Sequence, residues 1–267
     1  TIANYFLNIG YQVDIFTLEQ GYPLMEKVNK KIRVITPNEK EKIYKKYDII
    51  WSHHFPLLDY VLFGIGVKSR HICYISLSSF EPYEALPEYG NDLSLIGAIT
   101  VEVKNKLIKE GCYKEKIKLF PNYATNEYFN CQIVKNDKVN KICIVSNHVP
   151  KELAEFKVIA EKQNIKVDIF GIQYTPKYID EKILNKYDVI ISIGKTIYYA
   201  TAMGKPAYCY GRFGGYGYIN KNNIKKAFKY NFSGRGFGEK KKSNEILDEI
   251  INNYNNVQSD LEYVKKF

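Results

Sequence analysis

The residues able to do chemistry are few and dispersed. Two adjacent imidazoles, His53 and His54, close the apolar run YDIIWSHH. Neutral imidazole both donates and accepts, so either suits acid–base work or a sugar hydroxyl. The plain alternative for a histidine at a strand end is a structural hydrogen bond. Further on, DVIISIGKT ends a buried-strand pattern at Gly194 and opens a helical pattern with Lys195 and Thr196. Gly194 permits close backbone approach, Thr196 can cap, Lys195 adds charge, and first-turn amides attract anions. Those features suit a diphosphate. A P-loop is excluded, because residues 189–195 read VIISIGK and lack its first glycine and its loop. The next segment, YGRFGGYGYINKNN, sets Arg212 beside Gly214, Gly215 and Gly217. It predicts a glycine-lined loop whose tyrosines stack on a sugar or base. NFSGRGFG repeats the theme with Arg235, and SSFEPYEALPEYG offers Glu81, Glu84 and Glu88 as candidate bases or solvated acids.

Other chemistries are absent from the pattern. No carboxylate cluster calls for a divalent cation, so no metal or cofactor is expected. Five cysteines, Cys73, Cys112, Cys131, Cys143 and Cys209, are odd in number and never in a CxxC pair. They read as reduced thiols of a cytoplasmic protein. The net charge of +10 invites a nucleic-acid reading, yet only four of the 39 basic residues are arginine. Lysine, asparagine, isoleucine and tyrosine share A/U-rich codons, which accounts for much of the excess. Base readers lean on arginine, and no nucleic-acid-binding signature is present. An anionic membrane surface or a phosphorylated substrate fits better. Lysines 104, 106, 109, 114, 116 and 118 form one basic stretch, either a solvated helix face or a docking patch. The longest apolar run, Tyr60 to Val67, falls far short of the ~20 residues that span a bilayer.

These residues must be positioned by a scaffold, and its rhythm is legible. Short runs rich in isoleucine and valine alternate with helical patterns: 11–17, 31–37, 47–54, 70–78, 95–101 and 116–122, then 141–147, 167–171, 188–194 and 206–211. Continuous apolar runs of that length suit strands covered on both faces, hence α/β architecture with parallel sheets. Helices are expected near 103–111, 151–163, 179–186, 195–203 and 243–254. The polar stretch 123–138 reads as a linker between two Rossmann-like domains, 1–130 and 138–267. The opening TIANYFLNIG reads as a helix running into the strand YQVDIFT. Because such a helix ordinarily follows a strand, a first strand is expected ahead of it.

At this point the order of motifs resembles a family. Over nearly the whole chain it is similar to the GT-B glycosyltransferases, most like the retaining family-4 group. IANYFLNIGYQVDIFT resembles their first helix and second strand, and DIIWSHHF resembles the strand whose histidine, here His53, lies near the donor sugar. The stretch ending in Pro121-Asn122 looks like the close of their N-terminal domain. Gly194, AMGKPA and the pair Gly214-Gly215 resemble their donor-binding elements. The resemblance implies donor contacts at Ser146, Asn147 and Lys151 of SNHVPK, where the family carries an arginine and a lysine for the diphosphate. It also implies donor contacts at Gly194, Lys195, Thr196, Tyr199 and Arg212. The chain departs from the family where paired glutamates are usual: Ile191 and Tyr199 stand there.

The resemblance implies a metal-independent glycosyltransferase. It would move a sugar from a nucleotide-diphosphate donor to a cell-surface polysaccharide or lipid-linked acceptor, in the cytoplasm or peripherally at the inner membrane face. His53 and His54 are its catalytic candidates. The alternatives are a non-catalytic sugar-nucleotide-binding subunit and a nucleotide-sugar epimerase on the same fold.

Overall fold

A computed structural model describes residues 2–267. Contacts divide the chain into two compact units. One runs through Gly97 and takes in Leu107–Lys118; the other comprises Ala98–Lys106 and Leu119–Phe267.

In the first unit, helix α1 (Ile2–Asn8) leads into strand β1 (Asp14–Phe16), which pairs in parallel with β2 (Arg33–Ile35). A separate sheet has the order β3 (Lys46–Ser52), β4 (Lys68–Ser76), β5 (Leu95–Ala98), β6 (Ile117–Leu119). Helix α2 (Phe55–Asp59) carries Pro56 as its second residue, where a missing N–H is no loss in a first turn. Helix α3 (Val101–Lys109) turns Val103 and Leu107 inward, one turn apart, and is divided between the units.

The second unit opens with α4 (Asn126–Phe129) and continues β7 (Lys141–Val145), α5 (Lys151–Lys162), β8 (Lys166–Phe170), α6 (Glu181–Leu184), β9 (Val189–Ser192) and α7 (Lys195–Met203). It ends with β10 (Ala207–Gly211), β11 (Gly214–Tyr218), α8 (Ile224–Lys229), α9 (Ser243–Gln258) and α10 (Leu261–Lys266). The sheet order is β11-β10-β9-β7-β8, parallel except for β11. One face carries Cys143, Ile190 and Cys209 against α6 and α7. The other carries Ile142, Ile191 and Tyr208 against α5 and α9. Burial on both faces is why these strands read as unbroken apolar runs.

Two local expectations differ from what is found. The stretch 123–138 is no free linker: α4 lies in it, and Tyr128 is buried in the core that includes α7. The glycine-rich stretch after Gly211 is a β-hairpin rather than a loop. A side chain at Gly215 would place its Cβ 1.9 Å from the Cys209 carbonyl oxygen, so only glycine allows the two strands to approach there. No helix among the described residues is long and apolar enough to cross a membrane.

Candidate functional site

The sheet order of the second unit creates the site. From β7 the chain steps to β8 on one side, then returns across β7 to β9 on the other. Helices diverge where the winding reverses, and the crevice beyond those strand ends is where open α/β sheets bind ligands. The Ser192 hydroxyl donates to the Val145 carbonyl at 2.7 Å, tying the carboxyl ends of β9 and β7 together. Three candidate segments therefore leave the same end of three adjacent parallel strands: Ser146-Asn147 after β7, Gly194 after β9 and Arg212 after β10.

Gly194 is the N-cap of α7 with φ 58° and ψ −132°, and no side chain caps the helix. A Cβ built there meets nothing nearer than 3.9 Å, so space is open at the turn. The glycine is needed for its backbone angle. Lys195 is exposed, while Gly194 and Thr196 are half-buried. The first-turn amides thus keep their positive end of the helix dipole without a carboxylate or hydroxyl to consume it. Lys195 Nζ stands 5.6 Å from the Tyr199 ring centroid, and Tyr199 stacks on Tyr128 at 4.1 Å. Burial, together with nearby Tyr199, raises the pKa of Tyr178, and Lys195 partly opposes the rise. Tyr199 and Tyr178 therefore stand near the lysine, with Tyr128 stacked on Tyr199; Tyr128 and Tyr178 are absent from the sequence-derived candidates.

The residues of SNHVPK serve the scaffold as well. The Ser146 hydroxyl accepts from the His148 amide at 3.1 Å, and the Asn147 side-chain oxygen accepts from Ile172 N at 3.3 Å. Lys151, almost fully exposed at the start of α5, pairs with Glu155 at 3.6 Å. Gly214 and Gly215 are buried in β11, where close backbone packing against Glu239 and Cys209 accounts for both glycines without a ligand.

Arg212 occupies the hairpin turn with its guanidinium 4.8 Å from the Phe213 ring; Arg235 approaches the same ring at 5.8 Å. Arg235 also grips Glu102 through two hydrogen bonds of 3.2 and 2.8 Å. Sequence reading missed Glu102, because nothing local links residues 133 positions apart. Lys205, within AMGKPA, is buried and donates to the carbonyls of Tyr187 at 2.7 Å and Val134 at 3.1 Å. Burial lowers its pKa, with Asp188 pulling the other way. Its role is to tie chain segments together.

In the first unit, both ring nitrogens of His53 are engaged. The Trp51 indole N–H, a donor only, points at Nε2 at 3.3 Å, and Nδ1 lies 3.3 Å from the Ile75 carbonyl. The ring proton of the neutral form therefore sits on Nδ1. His54 is exposed and precedes α2 without capping it. Glu84 is buried and its carboxylate accepts the Leu77 amide, a loop anchor rather than a free base.

No protein-family model matches this chain, and no curated protein matches it by sequence. Solved structures do resemble it. Anabaena HepE, in complex with UDP and glucose, superposes with a TM-score of 0.54 at 11% identity, covering 99% of this chain and 92% of that one. HepE with UDP-glucose gives 0.52 at 11% identity, covering 99% and 92%. The glycotransferase of kitacinnamycin gives 0.53 at 9% identity, covering 99% and 89%. The fold is of the GT-B type. Ile191 is fully buried in the core, and Tyr199 stacks on Tyr128.

Proposed function

We propose that the second unit binds a nucleotide-diphosphate sugar at the start of α7 and that the chain transfers the sugar to a saccharide or lipid-linked acceptor. One observation carries the reading: an uncapped helix N-terminus, opened by a left-handed glycine with free space before it, stands at the switch point of a doubly wound sheet. The phosphates accept the first-turn amides and Lys195, and Arg212 extends the positive lining. Charge that develops on the leaving diphosphate meets donors already in place, which lowers the barrier without reorganisation. HepE binding UDP and UDP-glucose supports a uridine donor. His53, oriented by Trp51 and Ile75, and His54 are the proposed acid–base or sugar-binding groups. In this reading the chemistry needs no metal. Exposed Lys109, Lys114 and Lys118 would give an anionic membrane surface a place to rest.

Calorimetry with UDP, UDP-glucose and uridine tests the donor half. UDP and UDP-glucose binding with uridine far weaker is expected; equal affinity for all three would remove the diphosphate site. A second reading, a donor-binding subunit without transfer, is favoured by Ile191 and Tyr199 in place of carboxylates. Release of UDP from UDP-glucose, with and without a chelator, separates the two.

A further inference from the structure

The turn before α7 has spent one of its own N–H groups. The Gly194 amide goes to the Phe232 carbonyl at 3.0 Å, so a ligand at this turn meets only the amides that follow. The residue that borders the open space at Gly194 is Asn231. A Cβ built at Gly194 would find the Asn231 carbonyl oxygen at 3.9 Å and its side-chain Nδ2 at 4.0 Å. Among the described residues, no other atom from outside the turn comes within 4 Å.

The two ends of that half-buried side chain are used differently. Oδ1 accepts from Asn122 Nδ2 at 2.9 Å, whereas nothing among the described residues accepts from Asn231 Nδ2. A side-chain amide has the same shape when turned over, with its acceptor and its donors exchanged. Here Asn122 decides the matter. Its NH2 only donates, so it keeps the Asn231 oxygen on its own side and leaves the Asn231 NH2 toward the turn. Both residues belong to the second unit although 109 positions separate them. The backbone is fixed too, because Asn231 has a left-handed φ of 54°. Asparagine is among the few non-glycine residues that adopt it readily.

We propose that Asn231 binds the nucleotide-diphosphate sugar, its side-chain NH2 donating to a diphosphate oxygen at the start of α7, and that Asn122 is the positioning residue that holds it in this orientation. The inference rests on the diphosphate reading of that turn and deepens it. The chemistry is complementary. Diphosphate oxygens are acceptors, and hydrogen bonds to charged groups are the strong ones. Asn231 supplies N–H groups where the Gly194 amide is already taken, while Lys195 supplies the charge. Turned over, the same amide would set its oxygen against the phosphates.

Calorimetry of the whole chain with UDP, UDP-glucose and uridine is the test, on variants that spare the fold. Asn231→Gly removes the side chain and keeps the left-handed backbone, and Asn231→Asp keeps the shape. UDP affinity should fall about tenfold in Asn231→Gly, the worth of one hydrogen bond to a charged group. It should fall further in Asn231→Asp, where a carboxylate oxygen faces the phosphates, and added salt should shrink that extra loss. Uridine affinity should not move. Asn122→Ala should cost about threefold in the parent chain and nothing more in the Asn231→Gly background, because Asn122 acts only through Asn231. A merely structural role for Asn122 would give the same loss in both backgrounds. Unchanged UDP affinity in both Asn231 variants would overturn the proposal and leave the diphosphate reading standing. Failure of the parent chain to bind UDP would remove both. A loss shared equally by uridine, or confined to UDP-glucose, would also overturn it by moving the contact to the base or to the sugar.

Discussion

The Gly194 amide donates to the Phe232 carbonyl at 3.0 Å, so the turn before α7 is held by a residue far along the chain. Phe232 has φ 50°, unusual for a bulky residue, and its ring meets Tyr198 of α7 edge-on at 4.8 Å. One buried aromatic thus fixes both the backbone and the packing of the proposed phosphate turn, and its strained conformation is held from two sides.

Gly194→Ala tests the turn. A Cβ finds open space there but an unfavourable φ, so the loss comes from the backbone alone, about 1–3 kcal/mol. UDP affinity should fall at least about fivefold as the first-turn amides shift. Denaturant unfolding and calorimetry read the two effects.

Lys195→Ala should leave stability within about 0.5 kcal/mol, because the side chain is exposed. UDP binding should weaken about tenfold through loss of one charged partner, while uridine binding is unaffected. An equal loss for uridine would argue that Lys195 serves the base and not the phosphates.

The Arg235–Glu102 pair should show a coupling of about 1 kcal/mol in a double-mutant cycle, falling with added salt. Arg235→Lys should lose most of it, since a point charge cannot reproduce two parallel hydrogen bonds.

Tyr198 is buried and its hydroxyl has no hydrogen-bond partner among the described residues. Tyr198→Phe removes the cost of dehydrating that group and should raise stability by about 1 kcal/mol. A rise in the unfolding midpoint at constant denaturant slope checks it.

Asp14 carries a pH prediction. Burial pushes its pKa upward, but hydrogen bonds from Arg33 and Tyr47 and the charge of Arg33 outweigh it, holding the carboxyl below its ordinary value. With the folded pKa below the unfolded value near 3.9, the stabilisation is complete above that pH. It is lost as pH falls through the folded pKa. Asp14→Asn should therefore lower stability by about 2 kcal/mol at pH 7, and the gap to the parent should close in acid. A gap that stays constant to pH 2 would contradict the assignment.

Much of the scaffold is legible in the amino-acid sequence. All ten strand-like runs became strands β1 to β10, because isoleucine and valine flanked by turn residues admit little else when both faces are covered. The helix start at Lys195 was equally clear, since a lone glycine between a buried strand and a helix marks a backbone reversal. The hairpin strand β11 was missed, because GGYGY lacks the branched side chains that signal a strand. The glycines there answer to the Cys209 and Glu239 backbones, which are distant in sequence.

The chain's own order of residues therefore determined its α/β class, the rhythm of its strands and the turn before α7, since each depends on neighbours a few positions apart. Tertiary structure alone decided which distant groups met. It joined Arg235 to Glu102, clamped His53 between Trp51 and Ile75, and buried Tyr128 of the stretch 123–138 in a core. Those outcomes follow from the order of strands in a sheet, which spacing along a chain does not encode.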